Sequence, residues 1–195
     1  MSLIISRAGA DPILEIGCGL GDDTLTMTSA GLSVNAFDIS SANVAMTALR
    51  VPLARVECRD VRAPFPEDPR SISVVVASLS LHYFEWNQTT LIVDRIWDCL
   101  RPGGVLICRL NSTDDLNFGA ASKVQIEDNF YLVNGRSKRF FNQGAVSNLF
   151  SDGWRELSVE HRSTHKYLKR KALWEIVLEK TDAQEVAAFM HRAQV

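Results

Sequence analysis

The chain has 195 residues, of which 46% are hydrophobic and 23% charged, and a formal charge of −2. That length suffices for one domain with a sizeable core, read here as a single unit over 1–195. The composition is ordinary for a soluble globular protein, a near-neutral chain disfavours nonspecific nucleic-acid binding, and no apolar run approaches a membrane span or a signal peptide.

In chain order, the first strand is predicted over 13–16. A helix over 22–30 stops at Gly31. A second strand, 33–39, carries Asp38 at its end. Ser40 or Ser41 caps the next helix, which runs to Arg50. A third strand is expected near 55–58. Pro64, Pro66 and Pro69 then exclude a full helix. The β-branched run 72–77 reads as strand four. Leu91, Ile92, Arg95, Ile96 and Cys99 recur at helical spacing over 88–100. Pro102-Gly103-Gly104 signals a stop and turn before strand five, 105–110. Alternating strands and helices of these lengths predict a parallel sheet covered on both faces.

The remainder reads differently. Runs at 130–133 and 138–141 flank Asn134-Gly135, a strong hairpin signal. A helix at 143–150 stops near Gly153. Two β-like runs, 156–163 and 172–178, have no helix between them and should pair antiparallel. The tail, 181–195, looks helical. The segment 111–141 is too long for a simple connection and is read as a substrate-side insertion.

The stretch Ile13-Leu14-Glu15-Ile16-Gly17-Cys18-Gly19-Leu20-Gly21 is the most informative. Its three glycines alternate, so the pattern is G-x-G-x-G. A dinucleotide fingerprint needs G-x-G-x-x-G and a pyrophosphate at the helix start. Asp22 would stand there instead and repel it. A cofactor without phosphates, preferably with positive charge, fits better. Charge is also uneven along the chain: residues 136–171 carry +6 and the rest −8. Those cations are either a solvated surface or a basic rim for an anionic substrate. Four cysteines (Cys18, Cys58, Cys99, Cys108) include no C-x-x-C pair, which suits reduced thiols in the cytoplasm.

From about residue 11 to 180 the chain resembles the class I S-adenosylmethionine-dependent methyltransferases. Glu15 to Gly21 matches that family's glycine motif. Asp38-Ile39-Ser40 matches the acidic end of the second strand, and Arg59-Asp60-Val61 the loop after the third. Ser78-Leu79-Ser80-Leu81-His82-Tyr83 matches the fourth-strand motif. Leu100-Arg101-Pro102-Gly103-Gly104 matches the turn into the fifth strand. The resemblance implies a Rossmann-like, doubly wound, seven-stranded α/β sheet, mostly parallel with an antiparallel final strand. It implies S-adenosylmethionine as cofactor and S-adenosylhomocysteine as product. The implied cofactor residues are Glu15, Gly17, Cys18, Gly19, Gly21, Asp38, Ile39, Asp60, Val61, Ser78 and Leu79. Asp38 would accept from ribose hydroxyls and Asp60 from the adenine amino group, with Ile39 and Val61 on the ring faces.

His82 is the candidate base, beside the expected methyl, and Tyr83 a candidate for orienting the acceptor. The insertion offers Asn111, Tyr131 and Arg139 as substrate residues, with Phe118, Phe130 and Arg136 also of interest. No metal site is expected. The fourth-strand motif is not the Asn/Asp-Pro-Pro-aromatic signature of nucleic-acid amino methylation, so a small-molecule acceptor is expected. About eleven residues precede strand one, where many relatives carry lid helices, so either the insertion supplies a lid or the site is open. The competing readings are a noncatalytic S-adenosylmethionine-binding module and an NAD-dependent oxidoreductase.

Overall fold

A computed structural model of the chain describes residues 1–66, 68, 70–165 and 169–181. Pro69 and, from residue 182 on, the predicted tail helix lie outside the described residues. Helix α1 (Ser2–Ala8) comes first, then β1 (Ile13–Ile16), α2 (Asp22–Ser29), β2 (Val34–Asp38), α3 (Ser41–Arg50), β3 (Arg55–Cys58) and β4 (Ile72–Ser78). A 3-10 turn at Leu81–Tyr83 leads into α4 (Trp86–Cys99) and β5 (Leu100–Asn111). Short strands β6 (Gln125–Glu127), β7 (Phe130–Val133) and β8 (Arg136–Arg139) follow. Helix α5 (Gln143–Leu149) then precedes β9 (Trp154–Thr164) and β10 (Lys171–Lys180).

Seven strands form one sheet in the order β3-β2-β1-β4-β5-β10-β9. The first five are mutually parallel, and β10 runs antiparallel to both its neighbours. This is the Rossmann-like, seven-stranded α/β sheet that the resemblance implied. A central parallel strand is buried on both faces, so it reads as a nearly continuous apolar run, broken here by Glu15 in β1 and Ser73 in β4. Every residue of β1 is buried, and β4 is buried from Ile72 to Ala77. Alternate side chains of β4 enter different cores. Val75 and Ala77 pack with Ile92, Val93 and Ile96 of α4, while Val74 and Val76 pack with Ala8, Met27 and Val34. This is the period of two expected of a strand. Ser40 caps α3, its hydroxyl accepting from the Asn43 amide at 3.3 Å.

Three local readings need correction. The Pro102-Gly103-Gly104 turn lies inside β5 rather than before it. Ile72 pairs with Leu100 and Val74 with Val105, so residues 101–104 are extra residues at a break in the register. The second hairpin strand is Arg136–Arg139, two residues earlier than the apolar pattern suggested. Asn134 and Gly135 both have positive φ, 50° and 76°, which closes a two-residue loop and pairs Val133 with Arg136. The hairpin also gains a third strand, β6, three residues long and with no apolar alternation to announce it.

Candidate functional site

Strand order reverses between β1 and β4, and open α/β sheets bind ligands outside the carboxyl ends at such a point. A cleft of about 780 Å³ lies there. Of the predicted cofactor residues, Glu15, Gly17, Cys18, Gly19, Asp38, Ile39, Asp60, Val61, Ser78 and Leu79 line it. Gly21 does not. It caps α2 with φ +80°, and a Cβ on it would come within 2.8 Å of Thr47 on α3.

The glycine loop is held by its own geometry. The amides of Gly17 and Cys18 both donate to the Phe37 carbonyl, at 2.8 and 3.1 Å. Gly17 has φ +74°, and a Cβ there would stand 2.6 Å from Ser80 Cβ. Only glycine fits both the dihedral and the contact. Asp38 ties the loop to the next strand: Oδ2 accepts from the Gly19 amide at 2.9 Å. Its Oδ1 accepts from the Ser40 amide at 2.8 Å and from Asn43 Nδ2 at 3.2 Å. Asp38 therefore also organises the start of α3, together with Ser40. On the β4 side, Leu79 takes φ +55°, uncommon for a residue with a side chain, and donates its amide to Arg109 O at 3.0 Å.

The electrostatics of this wall are acidic. Asp22 and Asp23 occupy the first turn of α2, the end of a helix that otherwise attracts anions. Glu15 is 2% exposed, and its Oε2 accepts from Thr24 Oγ1 at 2.6 Å. Burial pushes its pKa up to about 7 against that hydrogen bond, with the charges of Asp23 and Asp38 adding to the rise. Burial likewise pushes the Cys18 thiol up to about 12, so it stays protonated. Asp60 is gripped by Arg62, whose Nε lies 3.0 Å from both carboxylate oxygens, and this holds its carboxyl below the usual range.

The predicted acceptor residues divide. Tyr83 lines the cleft, and burial raises its phenol pKa. His82 stacks against Tyr83 with centroids 4.1 Å apart but is not part of the cleft lining. It is 3% exposed and its Nδ1 is buried without a partner. Burial first, then the charges of Lys171 and Lys138, drive its pKa down to about 3. Asn111 is buried, its Oδ1 accepting from Lys171 Nζ at 2.8 Å. Tyr131 packs near Phe140. Arg139 is 4% exposed and donates to Phe84 O and Asp128 O at 3.2 Å each, pairs with Glu127, and faces the Phe130 and Trp86 rings. These three residues build the insertion and do not line the cleft. The insertion instead contributes Arg136 and Ser137.

Sequence reading also passed over Ser80, Arg59 and Arg109, all in the cleft wall. Arg109 had a visible signal: it is the one charge inside the apolar run of β5, near the carboxyl end. It donates to Glu175 at 3.1 Å and to Ser78 Oγ at 3.4 Å.

The family model described as a methyltransferase domain matches residues 13–104. No curated protein matches the sequence. Among solved structures, a SAM-dependent methyltransferase from Methanosarcina mazei aligns with TM-score 0.78 and 18% identity, covering 93% of this chain and 98% of that one. The 1,6-didemethyltoxoflavin-N1-methyltransferase of Burkholderia thailandensis, solved with 1,6-didemethyltoxoflavin and S-adenosylhomocysteine bound, aligns at 0.71 and 18% identity, covering 93% and 76%. The [4+2]-cyclase SpnF aligns at 0.70 and 16% identity, covering 92% and 80%. Likeness at this level establishes a shared fold, and the cyclase illustrates that one fold carries several chemistries.

Proposed function

We propose that this chain, a member of the class I S-adenosylmethionine-dependent methyltransferases by domain match and fold, binds S-adenosylmethionine in the β1–β4 cleft and methylates a small-molecule acceptor. One observation carries the choice of cofactor: the glycine loop is ringed by carboxylates, two of them in the first turn of α2. A pyrophosphate would meet Asp22 and Asp23 at the place where dinucleotide folds offer only backbone amides. A sulfonium and an ammonium meet opposite charge. The fit extends to Ser80, whose Oγ is buried without a partner where Gly17 packs against it in the cleft wall.

Glu15 and the backbone of Gly17–Gly19 would hold the methionine part, and Asp38 the ribose hydroxyls. Asp60 would take the adenine amino group between Ile39 and Val61, with Ser78 and Leu79 closing the β4 side. S-adenosylmethionine supplies a methyl group activated by a cationic sulphur that leaves neutral, as S-adenosylhomocysteine. The protein's contribution is alignment, and effective molarities of about 10⁵–10⁸ M show what alignment alone supplies. Excluding water from the cleft protects the displacement.

His82 is better placed to support Tyr83 than to remove a proton. Its imidazole is buried and a weak base, and it stacks on Tyr83, which lines the cleft where His82 does not. Tyr83 stays protonated at neutral pH and can donate a hydrogen bond to an acceptor. Acceptors that are already good nucleophiles, such as amines, thiolates and carboxylates, suit this wall better than alcohols, which need a base. Cysteines outside any disulfide fit a cytoplasmic protein, and among the described residues no helix is long and apolar enough to cross a membrane.

Calorimetry with S-adenosylmethionine, S-adenosylhomocysteine and NADH tests the cofactor. Binding of the first two alone is expected, weakened by about 1.5–3 kcal/mol in Asp38→Ala, the size of a hydrogen bond to a charged group. Tight NADH binding without the others overturns the reading. A labelled-methyl screen over amine, thiol, carboxyl and hydroxyl acceptors tests turnover. Cofactor binding with no transfer to any acceptor would make the chain a binding module. His82→Ala with full rate on the acceptor removes His82 from the chemistry.

A further inference from the structure

Four of the nine cations of residues 136–171 are held in ion pairs among the described residues. Arg139 pairs with Glu127, Arg155 with Glu179, Arg162 with Glu160 and Glu175, and Lys171 with Asp115. Among the three arginines of the cleft wall, Arg59 pairs with Glu57 at 3.3 Å and Arg109 with Glu175 at 3.1 Å. Arg136 is different. It lines the cleft, yet no hydrogen bond or ion pair engages its guanidinium among the described residues.

Its position is fixed from both sides. Arg136 is the first residue after the two-residue Asn134-Gly135 loop, and it pairs with Val133 across the hairpin. Three residues on, buried Arg139 fastens the same strand to Phe84 O, and Phe84 is itself a cleft residue. A tight turn and a buried anchor thus hold one unpaired cation against the cleft, opposite the acidic glycine loop. The neighbourhood adds positive charge. Lys138, two residues along the strand and on the same face, is half-buried, and no ion pair engages it among the described residues. Burial and the nearby charges of Lys171 and Arg136 lower its pKa, with only Asp115 opposing. A pocket edge with surplus fixed positive charge attracts an anion.

We propose that the acceptor is a small carboxylic acid whose carboxylate docks on Arg136, with the Tyr83 hydroxyl beside it. The planar guanidinium matches a carboxylate through two parallel hydrogen bonds. Phosphate is the weaker match, because a dianion would also face Glu15, Asp38 and Asp60 across the same cleft. The proposal rests on the cofactor reading above and specifies the other substrate.

The test is direct binding to the protein saturated with S-adenosylhomocysteine. Saturation-transfer NMR is run with benzoate, 4-hydroxybenzoate and 3-mercaptopropionate, each beside its carboxamide. The acids are expected to bind and the amides to bind about tenfold more weakly or not at all, the size of one charge-assisted contact. Arg136→Gln is expected to erase the difference while leaving S-adenosylhomocysteine affinity unchanged, and Arg136→Lys to restore part of it. Equal binding of acid and amide, binding of neither, or a preference that survives Arg136→Gln overturns the proposal alone. Failure of S-adenosylhomocysteine itself to bind overturns the cofactor reading, and the proposal falls with it.

Discussion

The two walls of the cleft are built by different physics. The glycine-loop wall is a backbone turn set by dihedrals and close contact: Gly17 and Cys18 share the Phe37 carbonyl, Asp38 takes the Gly19 amide, and Gly17 lies against Ser80 with no room for a methyl group. The insertion wall is a three-stranded sheet held by side chains. Arg139 clamps it to Phe84 and Glu127, and the buried Lys171–Asp115 pair at 2.8 Å fastens its root to β10. The first wall tolerates almost no substitution, because dihedrals and steric contacts cannot be traded. The second can change its exposed residues freely while its anchors persist. A fold that keeps one cofactor and varies its acceptor needs this division.

Substitutions can break the comparison. The largest effect is expected at the root of the insertion. Lys171→Met leaves the Asp115 carboxylate, 0% exposed, without its cation. Urea unfolding should show a loss of about 3–5 kcal/mol. Affinity for S-adenosylhomocysteine in the folded fraction should not change, and a large change would mean the two walls are one unit. Gly17→Ala should do the reverse. The positive φ and the contact at 2.6 Å predict a loss of about 1–3 kcal/mol in stability and a collapse of cofactor binding by calorimetry.

A smaller effect is expected from pH. Burial raises the Glu15 pKa from 4.5 to about 7, so the folded state holds its proton where the unfolded state has lost it. Stability contributed by protonated Glu15 is full below 4.5 and is lost as pH rises through about 7. Glu15→Gln should remove that slope in thermal melts taken across this range. A cationic cofactor favours the ionised carboxyl, so wild-type affinity for S-adenosylmethionine should rise with pH across the same window, and Glu15→Gln should flatten it. The smallest effect is expected at the exposed Asp60–Arg62 pair. Arg62→Ala should leave the urea unfolding midpoint nearly unchanged, because an exposed ion pair contributes little to stability. By calorimetry, S-adenosylhomocysteine affinity should hold or improve, because Asp60 loses a competing partner.

Legibility followed the same line. The glycine loop, Asp38, Asp60 and the end of β4 were readable because each sits where a strand ends, and strand ends follow from local apolar runs. The Asn134-Gly135 turn was readable for a similar reason: two residues determine its backbone. The pairing that makes the wall was not. Arg139 and Asn111 look like substrate residues in the chain, yet both are buried among hydrogen-bond partners 11 to 60 positions away. His82 looks like a base beside the methyl, and the turn at Leu81–Tyr83 buries it against Tyr83, a placement no local pattern announces.

The amino-acid sequence by itself determined the order of strands and helices, the glycine turn and the preference for a cofactor without phosphates. These depend on hydrophobic period, on dihedrals only glycine adopts and on the charge beside them. The tertiary structure alone decided which cations remain available. Residues 136–171 carry +6, and ion pairs within the fold engage Arg139, Arg155, Arg162 and Lys171. Arg136 remains, at the tip of a hairpin and facing the cleft. Pairing is a property of distance in space, and no spacing along the chain encodes it.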